Sequence, residues 1–184
     1  MDDTTRPFFP PNQIFLFDNV VPDDICDKII NFLNKADENI LEQESYKPGS
    51  NVICKSINVE KIRDYYLRTT LDSEIFNSIS EIIQKLSKHK IISTVDTGYC
   101  LRKITGPTRW HYDATVSDLE KYKKGNLNIP NTEIRNMSVI IALNSDYEGG
   151  EFCFPEQNTM IKLKKGQALA FPPYWTHPHY TNDL

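Results

Sequence analysis

Apolar residues follow two regimes along this chain. Up to about residue 90 they recur at helical spacing; beyond it they come in short runs broken by glycine. Ile14-Phe15-Leu16-Phe17 reads as a short strand ended by Asp18-Asn19. Pro22-Asp23-Asp24 then opens a helix, because proline suits the first turn and aspartates complement the helix dipole. Ile25, Ile29, Ile30, Phe32 and Leu33 supply its apolar face as far as Lys35. Residues 36–56 are polar, and Lys47-Pro48-Gly49-Ser50 marks a loop or flexible edge. Val59 to Arg68 fits a helix only in part. A stronger helix follows Asp72-Ser73, where Ile75, Ile79, Ile82, Ile83 and Leu86 form a core-facing stripe.

After Lys90 the pattern predicts strands at Ile91–Val95, Tyr99–Ile104, Met137–Asn144, Glu151–Phe154, Met160–Lys164 and Gln167–Phe171. Gly106-Pro107, Glu148-Gly149-Gly150 and Lys165-Gly166 punctuate them. Asp118 to Pro130 is a lysine- and asparagine-rich surface excursion. Helices first and short strands afterwards predict an α+β fold, with the N-terminal helices packed on one sheet of a β-sandwich or jelly roll.

Composition adds boundaries to this picture. A chain of 184 residues suits one domain with a proper core: a flexible N-terminal arm over 1–13 and a single domain over 14–184. Charged residues are 25% and the net charge is -4, ordinary for a globular protein. The lysines are scattered among acidic residues, so no nucleic-acid surface is expected. The N-terminus is acidic and then proline-rich, without the apolar stretch of a signal peptide. No run approaches transmembrane length, so no membrane partner and a cytoplasmic location are expected. Cys26, Cys54, Cys100 and Cys153 lie far apart and read as buried free thiols in a reducing compartment.

The candidate chemistry lies in Arg109-Trp110-His111-Tyr112-Asp113. A histidine and a carboxylate two residues apart in extended chain project to the same side. They can hold one metal ion if a third ligand arrives from elsewhere. His177 and His179 straddle Pro178, point the same way, and either can be that ligand. Two histidines and one carboxylate on one face is the arrangement of non-haem Fe(II) sites that activate dioxygen. The competing reading of each is a buried histidine within the aromatic turn formed with Pro173, Tyr174 and Trp175. His89 sits at a helix end, where a cation favours the last carbonyls, and is structural.

An H-x-D triplet alone is a weak signal, and the order of the motifs downstream strengthens it. After Asp113 come a strand, Gly149-Gly150-Glu151-Phe152-Cys153-Phe154, then Lys165-Gly166-Gln167-Ala168-Leu169-Ala170-Phe171-Pro172, and then His177. In this order the chain resembles the Fe(II)- and 2-oxoglutarate-dependent dioxygenases of the prolyl 4-hydroxylase-like branch. Tyr99 to Gly106 resembles the strand before the iron motif, and Phe15 to Leu33 resembles the start of the family's domain. The resemblance spans nearly everything past residue 13.

That resemblance implies a double-stranded β-helix core and His111, Asp113 and His177 as catalytic iron ligands, with His179 a neighbouring lid residue. It implies 2-oxoglutarate held by Tyr99 and Lys103, and substrate bound at Arg135. The cofactors would be Fe(II), 2-oxoglutarate and O2, with ascorbate a further candidate. The reaction would be hydroxylation of a C–H bond, above all of a proline within a peptide or protein. Alternatives are an oxygenase acting on a free amino acid or other small molecule, and a non-catalytic jelly-roll binding module. In the family, a basic residue on the last strand grips the co-substrate's far carboxylate. No such strand lies between His177 and Leu184, so the domain is expected to lack it here.

Overall fold

In the computed structural model, the residues described are 12–45, 52–89, 91–93, 96–113 and 135–184. Most of the expected arm, the Lys47–Ser50 loop, the far end of the Ile91–Val95 strand and the Asp118–Pro130 excursion lie outside them. The chain runs β1 (Phe15–Phe17), α1 (Asp23–Lys35), β2 (Glu42–Ser45), β3 (Val52–Asn58), α2 (Tyr65–Ser87) and β4 (Cys100–Ile104). It continues through β5 (Ser138–Ile141), β6 (Phe152–Phe154), β7 (Thr159–Ile161), β8 (Ala168–Phe171) and β9 (Tyr180–Thr181). These strands form three antiparallel sheets, ordered β1-β8-β5, β2-β3-β4 and β7-β6-β9.

β8 is the strand between the layers. All four of its residues are fully buried, which requires cover on both faces. Ala168 and Ala170 join the core that holds Ile25, Ile29 and Leu33 of α1 and Leu71, Ile75, Ile82 and Leu86 of α2. Leu169 and Phe171 join a second core with Ile14, Phe154 and Leu163. Period-two alternation of small and bulky side chains therefore assigns one face to the helices and the other to the β7-β6-β9 sheet. The neighbouring strand β5 alternates in step. Met137 and Val139 pack on the helical side, and Ile140 and Ala142 on the other.

α1 forms as its sequence predicts, from Pro22 with Asp23 and Asp24 in the first turn to Lys35 in the last. α2 starts earlier than Asp72, because the Asp64 carboxylate accepts the Leu67 amide at 3.0 Å and caps the helix there. Its first residues, Tyr65 and Tyr66, are exposed, so the apolar stripe does not reveal the true start. The polar stretch expected as loop also departs. β2 and β3 occupy its flanks, and β3 is the central strand of its sheet, paired to β4 from Cys54↔Ile104 to Asn58↔Cys100. Its buried residues include Cys54, Ser56 and Ile57, a mixture that no apolar alternation marks. Ile91 to Ser93 is not strand. The four cysteines are free, as expected, but Cys100 is exposed on the outer face of β4. No helix among the described residues is long and apolar enough to cross a membrane.

Leu169→Ala removes a fully buried side chain from the second core. It is expected to cost about 2–5 kcal/mol in denaturant unfolding. Leu16→Ala, at the paired position on the edge strand where the side chain is 47% exposed, is expected to cost far less. Equal losses would show that β8 is not the inter-layer strand.

Candidate metal centre

His111 and His179 face each other across an isolated antiparallel bridge. The His111 amide donates to the His179 carbonyl at 2.9 Å, and the His179 amide to the His111 carbonyl at 2.8 Å. Thr108 and Thr181 continue the pairing: each amide donates to the other's hydroxyl, at 2.8 and 3.0 Å. β9 is in turn paired to β6, so the His111 segment becomes the outer neighbour of the β7-β6-β9 sheet. Directly opposed residues project to one face, and the two imidazole centroids lie 4.4 Å apart.

The backbone also sets which nitrogen of each ring is free. His111 Nδ1 lies 2.6 Å from the Arg109 carbonyl, and His179 Nδ1 lies 3.1 Å from the His177 carbonyl. A carbonyl can only accept, so both Nδ1 atoms carry the hydrogen and both Nε2 atoms present lone pairs. Those lone pairs converge on one carboxylate oxygen. Asp113 Oδ1 is 3.4 Å from His111 Nε2 and 3.8 Å from His179 Nε2. The three donor atoms lie within 4.8 Å of one another. Two neutral imidazoles and a carboxylate, each histidine tied through its second nitrogen to a carbonyl, fit a divalent transition-metal ion.

Burial grades across the site. His179 is 3% exposed, with its ring 4.7 Å from Phe171 edge-on, 5.3 Å from Phe154 and 6.4 Å from Phe152. This apolar wall holds its pKa below the ordinary imidazole value by desolvation, keeping the ring neutral. His111 is half-exposed. In its protonated form Nε2 donates to Asp113, which lifts its pKa more than burial lowers it. At Asp113 burial pushes the carboxyl up, but the hydrogen bonds from His111 and Ser138 and the nearby His179 outweigh that, so the pKa is lowered. Arg135 donates from Nη1 to the Asp113 carbonyl at 3.2 Å, at the exposed rim.

No family model matches the chain, and no curated protein matches it in sequence. Solved structures do match. The viral collagen prolyl hydroxylase of Paramecium Bursaria Chlorella virus-1, in its 2OG complex, is similar with a TM-score of 0.58 at 21% identity, over 92% of this chain and 87% of that one. A prolyl hydroxylase from Trichoplax adhaerens, in complex with a hypoxia inducible factor oxygen degradation domain peptide fragment, gives 0.64 at 14% identity, over 94% and 78%. The chain has the prolyl hydroxylase fold. That fold implies a jelly-roll core, and this chain shows two helices with antiparallel sheets.

Within the prolyl hydroxylase fold the site differs from expectation at its third residue. His177, expected beside His111 and Asp113, is not brought to them. Its ring is buried with both nitrogens engaged: Nε2 donates to the Asn12 carbonyl at 2.8 Å, and Nδ1 accepts from the Thr176 hydroxyl at 2.9 Å. The reason is local. The His177 amide closes a turn onto the Tyr174 carbonyl at 2.8 Å, so the chain is not yet extended there, and pairing starts only at His179. His177 instead pins the segment before β1, where the Asn12 side-chain amide also donates to the Thr159 hydroxyl at 3.2 Å.

Tyr99 and Lys103 do not reach the centre either. Both share a face with Leu101, which points into the helix-side core. The Tyr99 hydroxyl donates to Asp96 at 2.6 Å, and burial with that neighbour raises its pKa. Lys103 donates to Asn34 of α1 at 2.8 Å. The His179 ring packs on the opposite side of β8, so strand alternation separates the pair from the metal-ligand cluster.

His179→Ala is expected to abolish Co(II) binding in a spectroscopic titration. His177→Ala is expected to keep binding and to lower the unfolding midpoint through the lost Asn12 contact. The reverse outcome would restore His177 as the ligand. The raised pKa of His111 sets the acid limit. A metal must replace the proton at Nε2, so affinity falls as pH drops through a value above about 6.5. A Co(II) affinity profile with its midpoint below that value would contradict the assignment. In the apo protein the same upward shift contributes stability below the ordinary imidazole pKa, and that contribution is lost as pH rises through the raised one.

Proposed function

We propose that the chain is an Fe(II)- and 2-oxoglutarate-dependent dioxygenase that hydroxylates a C–H bond, with a peptidyl proline as substrate. The observation that carries this reading is the convergence of two lone-pair-bearing Nε2 atoms on one Asp113 oxygen, in a chain with the prolyl hydroxylase fold. His111, Asp113 and His179 would hold the iron through Nε2, the carboxylate and Nε2. Bound there with 2-oxoglutarate and O2, Fe(II) supplies oxidative decarboxylation of the 2-oxo acid coupled to insertion of one oxygen atom into a C–H bond.

The chain's own residues prepare that chemistry. Phe152, Phe154 and Phe171 exclude water from the His179 side. The Arg109 and His177 carbonyls hold each imidazole in the tautomer a metal requires. Among the described residues the His111 side is the open one, and substrate would approach there past the exposed Arg135. There the guanidinium is bonded, among the described residues, to the Asp113 carbonyl, and a peptide carbonyl is a fitting acceptor for its other donors. A peptide rather than a small molecule is favoured by the Trichoplax adhaerens prolyl hydroxylase, which has a peptide fragment in its complex.

Incubation of the protein with Fe(II), 2-oxoglutarate, O2 and a panel of proline-containing peptides and free proline tests the proposal. Peptide-dependent 2-oxoglutarate consumption and a gain of roughly 16 Da on the peptide, the mass of one inserted oxygen atom, are expected. Asp113→Ala is expected to abolish both. A protein that binds no Fe(II) and turns over no 2-oxoglutarate, with Asp113→Ala indistinguishable from it, would refute the function.

A further inference from the structure

We propose that Ser138 is the positioning residue of this centre, its hydroxyl orienting the Asp113 carboxylate so that one oxygen faces both imidazole Nε2 atoms. The inference rests on the metal-centre assignment and extends it to a side chain outside the ligand set. Asp113 needs such a support. It lies at a bend two residues past the His111–His179 bridge, outside any strand, whereas each histidine is held by a ladder bond and a ring-to-carbonyl bond.

Three observations converge on Ser138. It is the first residue of β5 and is paired with Phe171, whose ring meets His179 edge-on. Its neighbours Met137 and Val139 pack toward the helices, so alternation turns Ser138 toward the site, the same way as Ile140 and Ala142. It is 8% exposed, within a run that is otherwise apolar from Met137 to Leu143. A hydroxyl buried there needs a partner, and the Asp113 carboxylate, whose backbone is already held by Arg135 of the same stretch, is the acceptor this register offers.

The same segment grips Asp113 a second time. Arg135, three positions before Ser138, donates to the Asp113 carbonyl. The ligand is thus held at backbone and carboxylate by one stretch whose register is locked by β8. Hydrogen-bonded partners of metal ligands typically change metal affinity by about 10–100-fold when removed.

The test uses the full chain and Co(II) as probe, read by chelator competition and by the Co(II) d–d absorption. Ser138→Ala and the near-isosteric Ser138→Cys are expected to weaken Co(II) binding by about 10–100-fold and to alter the absorption bands. Ser138→Thr, which keeps the hydroxyl, is expected to retain wild-type affinity and spectrum. Ser78→Ala, which removes a buried hydroxyl bonded to Glu74 in α2, is expected to leave both unchanged. The proposal is overturned if the Ala and Cys variants bind like wild type, if Ser138→Thr loses as much as they do, or if Ser78→Ala matches their loss. A wild-type chain that binds no Co(II) would sink the metal centre itself. A wild-type chain that binds, with unchanged Ser138 variants, would sink only the role of Ser138.

Discussion

Two backbone hydrogen bonds between His111 and His179 hold the candidate site together. They join segments from opposite ends of the strand-rich half and turn both imidazoles to one face. Each ring then meets a carbonyl of its own strand through Nδ1, so tautomer and orientation arise from main-chain geometry. The pairing is reinforced from both sides. Thr108 and Thr181 lock the register, and the Gly149-Gly150 turn lets the chain after β9 approach β6. A Cβ on Gly149 would overlap the Asp183 carbonyl, and both glycines have φ near +70°, where side chains are strained: 67° and 69°.

The second constraint is the double burial of β8. Because Ala168 and Ala170 meet the helical layer, Leu169 and Phe171 are available to form a dry interior on the other side. That interior is where His179 sits, and its low polarity keeps the imidazole neutral. Asp113, which is hydrogen-bonded, remains a carboxylate. Both shifts are downward, which leaves the His179 nitrogen unprotonated and the Asp113 oxygen ionised, as a metal site requires.

Local signals sufficed where one residue's neighbours in sequence are also its neighbours in space. α1, with Pro22, two aspartates and its apolar stripe, is of this kind. So are the short strands between glycine turns, and the His111-Tyr112-Asp113 pair. The start of α2 was hidden because its cap, Asp64, precedes two exposed tyrosines. β3 was hidden because pairing with β4, rather than an apolar pattern, makes it a strand. Ser138 carried a readable mark, a lone hydroxyl in the inward phase of an apolar strand, but no sequence feature named its partner.

By itself, then, the sequence determined α1, the core stripe of α2, the strands between the later glycine turns, the α+β class and two of the three residues in the candidate metal cluster, because these depend on period, turn chemistry and short spacing. Whether His177 or His179 completes the cluster was open from the residues alone. Two residues apart in extended chain, they are equivalent until something establishes where the extended chain begins. The tertiary structure decided it through long-range pairing. The turn closing on Tyr174 consumes His177, and the bridge to His111 begins at His179. The same kind of decision removed Tyr99 and Lys103 from the site, since alternation along β4 says which residues share a face but not which layer that face will meet.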